Sequence, residues 1–382
     1  MKSCKKTFRS VALIFAALAM VFVFPAVAAQ TRAAQPAPAT KALGQPEWEA
    51  TVKEARKEGR VVIYGAGIGA TANHLKKAFR DRFDIDLEFL QGRGNDIIQK
   101  VLTERRAGIY SVDIGNGGVT TWFTVIAPAN IALPMEPLIM LDEVKDRTKW
   151  RLGRIPFMDK EKQVVNVASI RYPYICINTT LVKPNEINSF NDLLDPKWKG
   201  KMVISDPSIS GTGNNWFAYM MIRLYGREKG AEYMKKLALN QPTLLRDERL
   251  QVEWVARGRY PILIAGKPTE VESFISLGAP LKWVLVKEAA PLSSGSFNFN
   301  AYKNAPHPHA QKVFVNWLLG KEAGEIIAKT SGYPSERSDV SHAGFDPAVV
   351  PKPTDTLEDE DYLAQKAGMP KLAGEIFREI LQ

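Results

Sequence analysis

The chain has 382 residues, with 51 lysines and arginines against 41 aspartates and glutamates, which gives a formal net charge of +10. The basic residues are spread along the sequence and form no run of five, a distribution that argues against nucleic-acid binding. The cysteines are Cys4 and Cys176. Because Cys4 lies in a segment that we expect to be removed, no internal disulfide is expected, and Cys176 is interpreted as a small buried residue. Stability must then come from a large core, which the 45% hydrophobic content permits.

The first 29 residues have the three parts of a secretory signal. Basic residues at 2, 5, 6 and 9 precede an apolar run over 11–24, and Pro25 then leads into small residues over 26–29. The run is about 14 residues long, short of the ~20 that a membrane-spanning helix needs. We therefore expect a signal peptide over 1–29, cleaved near Ala28 or Ala29. Residues 30–46, rich in Ala, Pro, Thr and Gln, are expected to form a flexible leader.

Helices and strands alternate in the segment that follows. The predicted order is helix 48–58, strand 60–64, helix 71–83, strand 86–90, helix 95–107 and strand 111–114. Loops that contain glycine follow the three strands, at 65–69, 91–94 and 115–118. Strand–loop–helix units in succession favour a right-handed α/β layer with a mostly parallel sheet.

A second α/β set is predicted further along the chain. Its elements are a long apolar strand over 170–178, strand 201–205, helices 214–224, 229–239 and 250–257, strands 261–265 and 281–286, segment 296–302 and helix 309–319. An amphipathic helix over 371–381 is expected to pack back on one lobe. Ligands of open α/β sheets bind outside the carboxyl ends of the strands. Two such sheets predict a two-lobed protein that closes about a hinge, with strand 171–177 as one candidate crossing.

Several segments resemble a known family. They are the opening over 48–64, the run Ser189–Lys201, the motif Asn-Ala-Pro-His-Pro over 304–308 followed by 314–319, and Ser-Gly-Tyr-Pro over 331–334. Together they resemble the periplasmic solute-binding proteins of ABC importers, and most closely the ferric-iron-binding and related group of the type II periplasmic binding fold. The resemblance covers most of the chain between residues 47 and 340.

The resemblance implies an α/β fold with two lobes, two or three hinge crossings, and capture of a small solute for an ABC permease in the inner membrane. The first lobe is expected to comprise 47–174 with 296–330, and the second 175–295 with 331–382. It also implies a monomer in the periplasm, with no enzymatic activity and no cofactor.

The iron ligands of the ferric group are not matched in this sequence. The loop after the first strand reads Gly65-Ala66-Gly67-Ile68 where that group often has His, and Asn116 replaces an acidic residue. The segment that compares with its Tyr-Tyr pair reads 264–270 without tyrosine. Fe³⁺ is a hard cation that prefers anionic oxygen ligands, so no metal site is predicted. His307 and His309 also lack the spacing of a metal pair.

The candidate loops instead offer amides, hydroxyls and bases, which suit a small anion such as an organic acid, phosphonate or phosphate ester. Helix N-termini provide free N–H groups and a favourable dipole, and arginine matches carboxylate or phosphate oxygens. The predicted ligand-binding residues are Ala66, Gly67, Arg93, Asn116, Ser210, Gly211, Thr212, Gly213, Arg249 and Lys267. Which of Arg246, Glu248 and Arg249 faces the cleft stays open. Tyr172 and Trp216 are interpreted as core residues rather than stacking groups.

Three other functions were weighed. An enzyme is disfavoured, because the sequence has no G-x-S-x-G, P-loop or H-E-x-x-H motif, and Gly65, Gly67 and Gly69 miss the dinucleotide spacing. A ferric iron or iron-chelate binding protein is an alternative. So is a ligand-binding sensor that docks on a receptor kinase, which sequence alone does not separate from an importer component.

Overall fold

The computed structural model describes residues 46–92, 94–209, 211–288, 290–347 and 349–381. The predicted signal peptide, nearly all of the predicted leader, and the candidate residues Arg93 and Ser210 lie outside the described residues. Within the described part, no helix has both the length and the apolar character needed to cross a membrane.

The strands are β1 (Arg60–Ala66), β2 (Asp86–Gly92), β3 (Ile114–Gly117), β4 (Ala132–Leu133), β5 (Val164–Asn166), β6 (Ile170–Arg171), β7 (Ile175–Asn178), β8 (Met202–Ser205), β9 (Thr243–Leu245), β10 (Ile262–Ile264), β11 (Leu281–Val284), β12 (Leu292–Ser293) and β13 (Asn298–Tyr302).

The α-helices are α1 (Pro46–Glu58), α2 (Thr71–Phe83), α3 (Gly94–Arg106), α4 (Val119–Thr121), α5 (Ala127–Ala129), α6 (Asp142–Lys145), α7 (Thr212–Tyr219), α8 (Arg227–Leu239), α9 (Glu248–Ala256), α10 (Pro268–Ser276), α11 (Pro308–Leu318), α12 (Lys321–Ser331), α13 (Glu360–Lys366) and α14 (Met369–Leu381). Two π-helical stretches, Trp122–Ile126 and Met220–Leu224, continue α4 and α7, and 3₁₀ turns form at Glu136–Leu138, Arg147–Lys149, Pro184–Glu186, Phe190–Leu194 and Pro196–Trp198.

The first lobe is built on a sheet in the order β2-β1-β3-β13-β4, with β5 also paired to β13. Strand β1 runs parallel to β2 and β3, as the alternating pattern predicts, whereas β13 is antiparallel to β3, β4 and β5. Helices α2, α11 and α12 cover the sheet through a core that includes Phe79, Phe314 and Trp317. The carboxyl ends of β1, β2 and β3 therefore lie at one edge of the sheet.

The second lobe is built on a sheet in the order β11-β7-β10-β8-β9. Strand β8 is parallel to β9 and β10, and β7 is antiparallel to β10 and β11. Helices α7, α9 and α10 follow β8, β9 and β10, so the three helix N-termini lie at the carboxyl edge of these parallel strands. Cys176 of β7 is fully buried, and burial raises the pKa of its thiol to about 12, which agrees with a packing role.

The expected strand over 170–178 is in fact two strands, and this is a correction to the sequence analysis. Pro173 lies between β6 and β7, and proline has no N–H to donate to a strand ladder. Strand β6 pairs with β12 in a separate two-stranded sheet, while β7 enters the second lobe. The break makes the β6–β12 ladder the crossing between the lobes.

A third chain segment joins this crossing. Thr356 forms a parallel bridge with Pro291, and the Arg171 amide donates to the Val349 carbonyl at 2.9 Å. Asp355 forms a buried ion pair with Arg171, with Nε and Oδ2 2.8 Å apart. The hinge thus contains three segments of the chain, and a buried ion pair links the third segment to β6.

The segment after α12 divides between the lobes. Arg337 donates to the Leu319 carbonyl at 2.8 Å, and the Glu336 amide donates to Val167, so residues 331–340 lie against the first lobe rather than the second as expected. Helix α14 packs on α7 and α8 of the second lobe, where Phe377 is buried near Phe217. The amphipathic helix therefore does pack back on a lobe.

Candidate functional site

The first lobe brings its loops together through Asn116. Its Nδ2 donates to the carbonyls of Ala66, at 2.9 Å, and Ser296, at 3.2 Å. A Cβ on Gly65 would overlap the Asn116 carbonyl oxygen and lie 2.8 Å from its carbon, so glycine is required for this close approach. Asn116 is only 6% exposed. It therefore positions the end of β1 next to the start of β13, while Gly67 stays exposed above it.

The second lobe places Gly211, Thr212 and Gly213 at the start of α7. Thr212 Oγ1 donates to Ser205 Oγ at 3.2 Å, and Ser205 Oγ donates to the Ala265 carbonyl at 2.8 Å. A Cβ on Gly213 would overlap the Ser205 carbonyl oxygen, which explains the glycine where the helix starts against β8. Gly211 has φ +149°, a conformation that favours glycine. These contacts fix the N-terminus of α7 over the ends of β8 and β10.

Each candidate cation of the second lobe is paired with a carboxylate. The pairs are Lys267 Nζ with Glu248 Oε2 (2.9 Å), Arg249 Nη1 with Glu270 Oε2 (3.5 Å), and Arg246 Nε with Asp206 Oδ2 (3.0 Å). A side-chain hydrogen bond from Lys267 to Glu248 raises the pKa of the lysine. The Lys267 pair lies beside Gly211, whereas Arg249 contacts Glu270 and Phe274 of α10. The three pairs therefore add no net charge to this edge.

A cavity of about 170 Å³ lies where the two lobes, the crossing and the C-terminal segment meet. Its lining residues are Gly118, Val119, Thr120, Tyr172, Tyr174, Asn215, Pro291, Leu292, Ser293, Ser294, Gly295 and Glu358. Hydroxyl and amide groups predominate among the polar ones. Glu358 has its own partner, because Lys366 Nζ lies 3.3 Å from its carboxylate. The cavity is thus polar without an unpaired charge among the described residues around it.

The N-terminus of α4 and one residue of α7 reach this cavity. Gly118 precedes α4, whose first residues Val119 and Thr120 line the cavity, and the helical path continues through the π-helical stretch to Ala129. From the other lobe, Asn215 of α7 also lines the cavity, although its own N–H already donates to the Gly211 carbonyl at 3.0 Å. The first N–H groups of a helix have no partner within the helix, and the helix dipole favours negative charge there. The arrangement therefore offers the positive end of α4, together with Asn215 of α7, to one cavity.

Two tyrosines of the crossing form part of the wall. Tyr172 and Tyr174 have ring centroids 4.8 Å apart, and the Tyr172 hydroxyl donates to the Gly266 carbonyl at 3.2 Å. Burial raises the pKa of both phenols well above the usual range. They are neutral at physiological pH, so they offer hydrogen bonds and aromatic surface rather than phenolate.

The predicted site residues and the cavity lining are two different sets. Ala66 and Asn116 come together in the first lobe, and Gly211, Thr212, Gly213 and Lys267 in the second, but none of them lines the cavity. Thr120 and Asn215 line the cavity but were not predicted, although each follows a glycine-containing segment of the sequence. Glu358 carries no such signal, and Tyr172 was interpreted as a core residue.

Metal-binding geometry is missing from the described part of the chain. Among residues 46–381, with the four gaps given above, no group of three or more His, Cys, Asp or Glu side chains is arranged to hold an ion. The wall of the cavity combines hydroxyls, Asn215 and the N-terminus of α4 with the apolar side chains of Val119, Pro291 and Leu292. The described chain thus has two α/β lobes joined by a hinge, with a polar cavity between them.

The chain belongs to the family of bacterial extracellular solute-binding proteins, whose sequence profile matches residues 74–350. An uncharacterized protein of Haemophilus influenzae is 25% identical over 284 residues, which cover 72% of this chain and 77% of that protein. The family and the resemblance predicted from the sequence are thereby confirmed.

Solved structures show the same fold. The Trichodesmium protein IdiA (FutA), solved with iron and citrate, superposes with a TM-score of 0.60 at 16% identity, over 84% of this chain and 99% of that one. An ABC transporter protein from Clostridium perfringens gives a TM-score of 0.59 at 16% identity, over 84% of this chain and 100% of that one. The fold is the two-lobed type II periplasmic binding fold, as expected.

Proposed function

We propose that this protein is the periplasmic component of an ABC importer and that it captures a small anionic solute in the cavity between its lobes. The solute class is an organic acid, a phosphonate or a phosphate ester, and the partner is an ABC permease. The observation that carries the proposal is the N-terminus of α4, which lines a polar cavity between the lobes together with Asn215 of α7.

The cavity favours an anion over a cation. A cation would need carboxylates or several carbonyl oxygens free to bind it, and Glu358 is already paired with Lys366. An anion needs hydrogen-bond donors, which Thr120, Asn215, Ser293 and the N-terminus of α4 supply. The volume of about 170 Å³ is also below the ~300 Å³ at which pockets for drug-sized ligands begin, so a compact solute is expected.

The predicted residues outside the cavity retain a role in this proposal. Lys267 is partly exposed, and its bond to Glu248 links two side chains of the second-lobe edge. A solute anion that reaches this edge would replace Glu248 as the partner of Lys267. The glycine loops at 65–67 and 211–213 let the backbone come close to such a solute, and Arg93 and Ser210 are proposed as further contacts.

A thermal-shift screen tests the proposal. The protein lacking residues 1–29 is mixed with organic acids, phosphonates, sugar phosphates, ferric salts and ferric citrate. A solute that binds the folded state at 100 times its Kd adds about 2.7 kcal/mol of stability, which raises the Tm measurably. An upshift with one class of anion supports the proposal, and an upshift with ferric salts alone contradicts it.

Variants of one helix test the location. Thr120→Val removes a hydroxyl from the cavity wall, and Thr124→Val removes one from an exposed position a turn later. We expect Thr120→Val to weaken binding of the solute found in the screen by about 10- to 150-fold, because one lost hydrogen bond to a charged group is worth about 1.5–3 kcal/mol. Thr124→Val should bind normally. Equal affinities of the two variants for the solute would show that α4 does not belong to the site. In the same titration, Arg93→Ala tests whether the first-lobe loop contacts the solute.

Iron chelate capture is a second candidate, because the Trichodesmium protein of the same fold was solved with iron and citrate. Direct binding of Fe³⁺ by phenolates is disfavoured here, since burial raises the pKa of Tyr172 and Tyr174. A citrate chelate, however, presents carboxylates that helix ends can bind. An upshift with ferric citrate but not with citrate alone would select this candidate.

Export belongs to the proposal as well. The signal over 1–29 is expected to be cleaved near Ala28 or Ala29, leaving the protein free in the periplasm. Fractionation of cells that express the full chain, followed by N-terminal sequencing, measures this. A membrane-bound product with residues 1–29 intact would contradict it. A sensor role in place of import is tested by whether permease and ATPase genes adjoin this one.

A further inference from the structure

A second, smaller cavity lies in the first lobe next to the proposed solute site. Its volume is about 20 Å³, slightly more than the ~10–15 Å³ that one water molecule needs. The lining residues are Gly65, Ile98, Asn116, Gly117, Gly118, Thr121, Trp122, Ile126, Val164, Asn298 and Asn300. Gly118 lines both cavities, so its backbone separates the small one from the large one.

Three lining residues carry buried polar atoms that have no hydrogen-bond partner among the described residues. The atoms are Trp122 Nε1, Asn300 Nδ2 and Asn116 Oδ1, on side chains that are 2%, 3% and 6% exposed. They come from three different elements, the π-helical stretch, β13 and β3. A buried polar atom without a partner is costly, and such atoms in native proteins usually have one. Their residues share one cavity, which indicates a common partner.

The orientation of both amides follows from their neighbours. Asn116 uses Nδ2 to donate to two carbonyls, so Oδ1 is the atom left to accept. A Cβ on Gly115, which does not line the cavity, would overlap Asn300 Oδ1. The oxygen of Asn300 therefore lies next to Gly115, and Nδ2 is the amide atom left without a partner among the described residues. The cavity thus offers two donors and one acceptor.

We propose that this cavity is a binding site for one uncharged oxygen, which accepts from Trp122 Nε1 and Asn300 Nδ2 and donates to Asn116 Oδ1. A water or hydroxyl oxygen has the required combination of acceptor and donor capacity. An anion would lack the hydrogen for Asn116, and a cation would face two N–H groups. No charged side chain lines the cavity among the described residues, which also fits a neutral guest.

The oxygen has two chemical sources, a water molecule or a hydroxyl of the captured solute. A water would be present whether or not the large cavity is filled. A solute hydroxyl would have to pass Gly118, which has no side chain. The nearest atom to a Cβ built on Gly118 would be the Gly295 carbonyl oxygen, 4.0 Å away. This second arm rests on the proposed function, whereas the site itself does not.

The guest would link the π-helical stretch to the sheet beneath it. Trp122 begins that stretch directly after α4, whose N-terminus lines the large cavity. Asn300 and Asn116 belong to paired strands, β13 and β3. An oxygen bonded to all three fixes the start of α4 relative to the sheet, and so determines where its N–H groups point.

Crystal structures of the protein lacking residues 1–29, with and without the solute identified by thermal shift, test the proposal. The expected result is one oxygen in the ligand-free protein within about 2.7–3.2 Å of all three atoms. If a solute hydroxyl takes that position in the complex, the solute supplies the oxygen. If the water stays in place in the complex, the oxygen belongs to a bound water molecule. Absence of an oxygen in both structures, or direct bonds among the three side chains, overturns the proposal. Because the ligand-free structure is sufficient, failure of the anion proposal would leave this result unaffected.

A matched pair of tryptophan variants provides a second measurement. Trp122→Phe removes the indole donor at the cavity, and Trp198→Phe removes a buried indole with an equally unpartnered Nε1 in the second lobe. The oxygen should be lost from Trp122→Phe and kept in Trp198→Phe. An oxygen at full occupancy in Trp122→Phe refutes the role of the indole. Should Trp122→Phe fail to fold, Asn300→Leu gives the same comparison.

Discussion

Asp355 is the charged residue on which the hinge depends most. Its side chain is fully buried, and its carboxylate forms an ion pair with Arg171, itself 3% exposed, at 2.8 Å. The same carboxylate accepts from the amides of Ala290, at 2.9 Å, and Lys352, at 2.7 Å. Three segments of the crossing therefore contact the one carboxylate of Asp355 or contain it. Replacing it by alanine leaves a buried guanidinium and two partly buried amides without this acceptor.

The magnitude follows from those contacts. Removing one partner of a buried pair costs about 3–5 kcal/mol, because the remaining charge stays out of water. The total stability of a protein is about 5–15 kcal/mol, so Asp355→Ala should remove a large part of it. By contrast, replacing both partners with apolar residues of similar size costs less than removing one. The double variant Arg171→Met, Asp355→Leu is therefore expected to be more stable than Asp355→Ala.

Guanidinium unfolding followed by tryptophan fluorescence and circular dichroism measures the change. The control is Glu232→Ala, which breaks an exposed pair with Lys236, where the two atoms are 2.7 Å apart. Exposed pairs contribute about 0–1 kcal/mol, so this variant should unfold almost like the parent. If Asp355→Ala lost less than about 1 kcal/mol, or if the double variant were the least stable of the set, the reasoning about the hinge would be wrong.

Three further changes have defined outcomes. Gly213→Ala places a Cβ into the Ser205 carbonyl and should lower the free energy of unfolding in urea by about 1–3 kcal/mol. The control Gly374→Ala lies inside α14, where the nearest atoms are 3.7 Å from the new Cβ, and should be neutral or stabilising. Equal losses of unfolding free energy in the two variants would contradict the packing argument. Burial raises the pKa of Asp113 despite its hydrogen bonds, so the folded state binds more protons than the unfolded one. Relative to Asp113→Asn, the parent should lose unfolding free energy as pH rises from about 3.9 through the raised pKa; a difference that changes in the opposite direction would refute the burial effect. In the protein lacking residues 1–29, the Cys176 thiol should react with a thiol reagent only after unfolding. Reaction at the native-state rate of a free thiol would show that β7 is exposed.

The elements with a strong local pattern were predictable from the sequence. Strands over 60–64 and 86–90 were expected and form β1 and β2, and the helix over 309–319 forms α11 at Pro308–Leu318. Apolar runs and helical periodicity report burial on one face, which is a local property. The strand over 170–178 was less predictable, because the run is apolar throughout and its division depends on the single proline at 173.

The site was less predictable than the fold, because its basic residues are paired with carboxylates from other parts of the sequence. Arg249 and Lys267 are bases in loops that follow strands, which is the pattern of an anion site. Their partners Glu270 and Glu248 are brought to them by the packing of α9 against α10, which spacing along the chain does not reveal. Likewise Glu358 reaches the cavity only because the C-terminal segment runs through the hinge.

That path of the chain has a consequence for how the protein is made. The sheet of the first lobe includes β13, and α14 packs on the second lobe. The hinge is complete only when the Val349 carbonyl accepts from Arg171 of β6 and Thr356 pairs with Pro291. During synthesis or translocation, most of both sheets is available before the parts that set their relative position. The last tenth of the polypeptide therefore completes both the second lobe and the hinge. A chaperone that holds the chain open during this interval would act on the step at which the cavity acquires its shape.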